Sequence, residues 1–218
     1  MAEVVLVHGL WFGRWSTAVL ARRLRRAGFR VRLFGYPTRG SVAINTAALA
    51  EFCRASTHPQ QHLLGHSLGG LLILHVLRRE AMLPPGRVLL IGTPLAGSEV
   101  ARRGLGLPGG RYLLGSAIDL LDGRAPDLPV DRETGMIAGT RSLGLGRLVG
   151  GLSVPNDGTV AVRETLRPGL ADRIEIAASH TGLLYSAAVA RQAGDFLQFG
   201  RFGGLGQPPR AGVGADVP

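Results

Sequence analysis

The stretch QHLLGHSLGG, residues 61–70, carries a serine between glycines at 65 and 69. It lies where a short apolar run gives way to a longer one. Ser67 in G-x-S-x-G at a strand-to-helix junction is the pattern of a nucleophile elbow, a tight turn that pays backbone strain to expose a hydroxyl. Glycines on either side relieve crowding, and the helix that follows points its N-terminus at developing negative charge. Such a serine needs a base, an acid to orient that base, and oxyanion donors.

Of the six histidines, His180 in IAASHTGLL follows a strand-like run directly, and it is the expected base. His8 sits in a strand-end His-Gly pair and reads as structural. His75 falls inside an apolar helix and is expected to be a satisfied core residue. His58, His62 and His66 are spaced by four, a metal-ligand spacing on a helix. Pro59 and the strand-like run between them break that helix, so the three share no helical face and no metal site is expected. The acid is expected to be Asp157 in the loop VPNDGTV; Asp172 is the nearest rival, but it falls at the start of a strand, the wrong end of a sheet. Asp119, Asp122, Asp127 and Asp131 read as solvated. Stabilising an oxyanion takes two backbone N–H groups aimed at one point. Leu68, after the serine, supplies one, and Leu10, after the permissive Gly9 in VHGLW, supplies the other. Trp11 and Phe12 come next, either lining an acyl or leaving-group pocket or packing the loop onto the fold.

The elements that must hold these residues alternate. Strand-like runs fall at 4–9, 30–36, 62–67, 87–94, 135–140 and 173–179. Helical patterns fall at 15–27, 41–55, 68–80 and 184–199. Alternation of this kind predicts a mostly parallel six-stranded sheet with helices on both faces, its chemistry in loops beyond the carboxyl ends of the strands. Residues 95–131, rich in Gly and Leu, interrupt the rhythm as an insertion suited to a cap or lid. Residues 1–199 read as one domain, and the Gly/Pro-rich 200–218 as a disordered tail. GLGRLVGG lacks the strand-turn-helix frame of a dinucleotide fingerprint.

Composition narrows the class. The chain has 218 residues, 45% hydrophobic and 18% charged, enough to bury a substantial core. No apolar run is long enough to span a membrane. The start MAEVVLVHG has no basic n-region or cleavage pattern, so no secretory signal is expected. Cys53 is the only cysteine, which rules out an intrachain disulfide. A soluble, cytoplasmic protein is the default expectation. The net charge of +10 comes from arginine alone, since lysine is absent. The arginines are scattered apart from ARRLRRAG, where Val19, Leu20 and Leu24 form one helical face and the arginines lie largely off it. That reads as a solvated face, with weak contact to anionic surfaces as its alternative and no nucleic-acid partner.

Together VHGLW, GHSLGG, GTPLAGS, PNDGTV and SHTGLL resemble the α/β-hydrolase superfamily, and within it small bacterial lipases and esterases. The resemblance spans roughly residues 3 to 199. The chain order Ser67, Asp157, His180 matches that class, and Thr93, Pro94, Gly97 and Ser98 correspond to a segment bordering the site. The strands that usually precede the oxyanion loop are missing, which implies a compact six-stranded form. The resemblance implies a serine carboxylester hydrolase working through an acyl-enzyme without a cofactor, on a small-molecule ester with lipids among the candidates. Methylene burial under a small, Gly- and Leu-rich cover favours short to medium acyl esters, on the order of four to eight carbons, over long triglyceride chains. A thioesterase or acyltransferase with the same three residues is the alternative, and a non-catalytic binding protein on the same fold is a further one.

Overall fold

The computed structural model describes residues 1–80, 82–146 and 150–203. Six strands form one sheet: β1 (Glu3–Val7), β2 (Arg30–Phe34), β3 (Gln61–His66), β4 (Val88–Ile91), β5 (Thr134–Gly139) and β6 (Asp172–Ile176). Every pairing is parallel, in the order β2-β1-β3-β4-β5-β6. A parallel strand covered on both faces must be apolar at successive positions, and β1, β3 and β4 are buried along their whole lengths. Alternate side chains go to opposite cores. Val5, Val7, Leu63, Val88 and Leu90 enter one cluster, while Val4, Leu6, Leu64, Leu89 and Ile91 enter the other.

Helices α2 (Val42–Arg54) and α3 (Leu68–Arg79) contribute to the first core, and α1 (Ala18–Arg26) and α8 (Ala187–Phe199) to the second. Serines start two of them. Ser41 Oγ accepts from Ile44 N in α2, and Ser186 Oγ accepts from Val189 N in α8, each satisfying an amide that has no partner within its helix. In α1, Leu20, Ala21 and Leu24 are buried while Arg22, Arg25 and Arg26 stay in solvent, as the amphipathic pattern predicts.

The 95–131 insertion folds as three short helices, α4 (Glu99–Leu105), α5 (Gly110–Leu114) and α6 (Ile118–Leu121). They add Ala101, Leu114, Leu120 and Leu121 to the first core, so the insertion is built onto the domain. Helix α7 (Gly182–Tyr185) precedes α8. Residues 200–203, expected to open the disordered tail, are tied back instead. Phe202 stacks on Phe196 with ring centroids 5.0 Å apart, and its N–H donates to Asp172 Oδ2 at 2.7 Å. The rest of that segment lies outside the described residues. Among the described residues no helix is long and apolar enough to cross a membrane.

The topology decides where chemistry can sit. The chain goes from β1 out to the edge strand β2, then returns to lay β3 on the other side of β1. The loops leaving β1 and β3 therefore diverge around a crevice at the carboxyl ends of two neighbouring strands. That crevice is where open parallel sheets bind ligands.

Candidate active site

Ser67 occupies the turn between β3 and α3 with φ 54° and ψ −122°. A β-carbon is strained there, at a cost of about 1–3 kcal/mol. The neighbouring glycines explain how so tight a turn fits. A β-carbon on Gly69 would lie 2.4 Å from the Val7 carbonyl oxygen, and one on Gly65 would lie 2.4 Å from Gly70 Cα. Both positions must be bare for α3 to start against the end of β1. Leu68 is the first residue of α3, so its amide has no acceptor within the helix.

Asp157 and His180 meet across 23 positions of sequence. His180 Nδ1 lies 2.7 Å from Asp157 Oδ2, with both side chains buried. The other carboxylate oxygen, Oδ1, accepts from the amides of Thr159 and Val160 at 2.9 and 2.7 Å, which fixes the plane of the carboxylate. The His180 amide donates to the Asp157 carbonyl at 2.8 Å, so backbone and side chain are registered together. Gly92, at φ 57°, passes under the pair. A β-carbon there would stand 3.2 Å from His180 Nδ1 and 3.3 Å from Asp157 Oδ2. Asp172 stands at the opposite end of β6, accepting the Phe202 amide.

Ser67, Leu68, His180, Leu10, Trp11 and Phe12 all line one cavity of about 640 Å³. No Asp, Glu or Arg lines it among the described residues; its remaining walls are mostly Leu, Val, Ala and Pro, with Ser98, Thr159 and Thr181 as small polar groups. Leu114 and Leu121 from the insertion close one side, and Leu143 and Leu145 close another.

The remaining histidines sort by environment. His8 is buried, stacked on Tyr36 at 4.6 Å, with Nδ1 3.0 Å from the Gly9 carbonyl; burial lowers its basicity. His62 accepts the Arg87 amide at Nδ1, and burial together with Arg87 brings its pKa down to about 4. His62 and His66 do share a side of β3, but four residues of extended chain separate them by about 13 Å, too far to share a metal. Among the described residues no cluster of His, Cys, Asp and Glu could hold one. His75 is only half-buried, at the edge of the buried face of α3 rather than inside the core.

His66 is fully buried beside the serine, and sequence reasoning gave it no part. Its Nε2 lies 3.1 Å from the His180 carbonyl, and Nδ1 has no partner among the described residues. Bonding to a carbonyl requires the proton on Nε2. Burial, and then the proximity of His180, hold this ring neutral, well below the ordinary histidine value. Glu164 was missed as well. One of its oxygens accepts the Ala161 amide at 2.8 Å, the other accepts the Glu99 amide, and its backbone carbonyl accepts the Ala96 amide. It thus pins the start of α4 to the loop that carries Asp157. A glutamate three residues after Ala161, at the start of a helical turn, is the local signal for half of that arrangement. Glu99 continues the link through Arg103 at 2.6 Å and Arg163 at 3.2 Å.

Comparison with known proteins identifies the family and the fold. Residues 4–191 match the model of the alpha/beta hydrolase family. A carbendazim hydrolyzing esterase from Nocardioides sp. (strain SG-4G) is 35% identical over a 94-residue alignment that covers 37% of this chain and 38% of the esterase, well under half of that relative's length. Mature Bacillus licheniformis lipase BlEst2 superposes with a TM-score of 0.65 at 18% identity, covering 84% of this chain and 86% of the lipase. A pyrethroid hydrolase from Sphingobium faniae JZ-2 does so with a TM-score of 0.56 at 16% identity, covering 91% and 98%. At these identities the structural likeness is one of fold.

Proposed function

The chain belongs to the alpha/beta hydrolase family, and from that membership we propose that it is a serine carboxylester hydrolase. One observation carries the proposal: a buried His180–Asp157 pair opens onto the same apolar cavity as a serine held in strained backbone. In this reading Asp157 keeps the proton on His180 Nδ1 and leaves Nε2 free to accept one. Nε2 takes the Ser67 proton as Oγ attacks the ester carbonyl, and the Leu10 and Leu68 amides stabilise the tetrahedral oxyanion. The imidazolium then protonates the departing alcohol. A water molecule, deprotonated by the same nitrogen, releases the acid and regenerates Ser67. No charge is built into the cavity wall among the described residues, so the substrate class is an uncharged ester with an apolar acyl arm. The relative named as a carbendazim hydrolyzing esterase supports an esterase activity for this chain.

The insertion's helices are only seven, five and four residues long, a small cover that favours short to medium acyl chains. Each methylene buried contributes about 0.8 kcal/mol, or roughly fourfold in kcat/KM, until the groove is full. A panel of p-nitrophenyl esters of graded length tests this. Its kcat/KM should climb to a maximum at an acyl length of about four to eight carbons and then fall, with no jump where the substrate passes its solubility limit. A monotonic rise into long chains, steep at the oil–water interface, would make the 95–131 insertion a lipase lid and contradict the esterase reading.

A further inference from the structure

Only two non-glycine residues among those described have positive φ: Ser67 and Trp11, the latter at φ 61°. An indole side chain gains nothing from left-handed backbone, so the conformation must be imposed by surroundings that over-determine it. Two hydrogen bonds do so. The Trp11 backbone N–H donates to Thr38 Oγ1 at 3.2 Å, and the indole Nε1–H donates to the Leu113 carbonyl at 2.9 Å, across 102 positions of sequence. Leu113 lies in the last turn of α5, where carbonyls lack partners within the helix. The same part of the insertion is clamped nearby: the Ser116 amide donates to the Arg39 carbonyl, and the Arg39 guanidinium lies over the Tyr112 ring at 5.3 Å.

Leu10 sits between two fixed points. On one side Gly9 touches the elbow so closely that a β-carbon there would be 3.0 Å from Ser67 Cβ. On the other, the bond from Trp11 N to Thr38 fixes the peptide plane that joins residues 10 and 11. We propose that Trp11 is a positioning residue. Its indole bond to the insertion holds the strained loop in place and keeps the Leu10 amide aimed at the oxyanion. Assembly of the oxyanion hole then depends on α5 being docked. The proposal rests on the serine-hydrolase reading and adds to it a residue that acts through Leu10. The plainer role for Trp11 is a wall of the cavity, which the ring also lines while half exposed.

Trp11→Phe separates the two roles, because it keeps an apolar ring and removes the N–H. With p-nitrophenyl butyrate, kcat should fall about 10- to 100-fold, the scale on which a misplacement of about 1 Å acts, while KM stays within about threefold. Binding of an alkyl trifluoromethyl ketone, which adds Ser67 Oγ to its carbonyl and leaves an oxyanion, should weaken by the same factor. Binding of the matching secondary alcohol, which forms no oxyanion, should not change. Thr38→Val removes the other support and should lower kcat in the same direction with KM unchanged. It decides the matter alone if Trp11→Phe does not fold. A raised KM with kcat preserved, or no change in either variant, overturns the proposal. Wild-type protein that hydrolyses none of the esters contradicts the hydrolase reading itself, whereas active wild type with equally active variants contradicts only the role given to Trp11.

Discussion

Replacing Asp157 with Asn tests the proposed role of Asp157 as the acid, and the hydrogen bonds set the size of the effect. Oδ1 accepts two amides, from Thr159 and Val160. The asparagine carbonyl must take that place, since its NH₂ there would face two donors. The NH₂ is then forced to the Oδ2 side, 2.7 Å from His180 Nδ1, where it can only donate. His180 must answer with a lone pair on Nδ1, which moves its proton to Nε2, the nitrogen required to accept from Ser67. Recovering the active tautomer means turning the amide round and leaving two donors unpaired, one buried and one partly buried, at about 1–3 kcal/mol each. The total of about 2–6 kcal/mol corresponds to roughly 30- to 20,000-fold in rate. The upper end agrees with the loss of about 10⁴ in kcat known for the analogous change in a serine protease. The assay is kcat on p-nitrophenyl butyrate, with circular dichroism to check folding. Asp172→Asn is the control and should stay within about threefold, because Asp172 serves the opposite end of β6. A crippled Asp172→Asn beside a mild Asp157→Asn would refute the assignment.

Ser67→Gly should abolish turnover yet stabilise the fold. Glycine takes φ 54° without the strain of about 1–3 kcal/mol, less about 0.5–1 kcal/mol of extra backbone entropy. The melting temperature should rise by about 2–4 °C for each kcal/mol gained, and a fall would contradict the strain assigned to the elbow. Acid should destabilise the protein well before its carboxylates titrate. His62, held at about 4, and His66, held lower than its ordinary value, stay neutral in the folded chain, whereas the unfolded chain protonates them below about 6.5. The stability they preserve is fully present above that pH. It is lost as pH falls toward the folded values, by up to about 1.4 kcal/mol per pH unit for each ring. Glu164, raised by burial, opposes part of this. Urea unfolding at pH 7.5 and pH 5.0 measures the difference, and equal stabilities would contradict it.

What was legible in the sequence was what neighbouring residues decide. Continuous apolar runs marked β1, β3 and β4 because strands covered on both faces cannot alternate with polar residues. The tight turn at Ser67 was legible because its glycines are local, and the loop around Asp157 because a Pro/Asn/Gly-rich stretch announces itself. The strand ends were overrun by two or three residues at β1, β2, β4 and β6, since residues such as Tyr36, Thr93 and Ala177 continue the apolar or β-branched composition after pairing has stopped. Long-range polar pairings left no such trace. The bond from Glu164 to the Glu99 amide crosses 65 positions, the Trp11–Leu113 bond 102, and the His66–His180 bond 114. Each depends on how the insertion and the acid loop pack over the sheet, and no periodicity encodes that. Phe202 was hidden by its surroundings, because a Gly/Pro-rich composition argued for a tail although one aromatic ring found a partner in Phe196.

The central claim is that Ser67 is a nucleophile activated by His180. A fluorophosphonate probe reads this without knowledge of the natural ester, since Oγ attack expels fluoride and leaves a stable phosphonyl adduct. Peptide mapping by mass spectrometry should find one adduct, on Ser67 in the segment GHSLGG. It should be absent from Ser67→Ala and formed far more slowly in His180→Gln. Folded wild-type protein that stays unlabelled, or that carries its adduct on another residue, would contradict the account and favour a binding protein on a hydrolase fold.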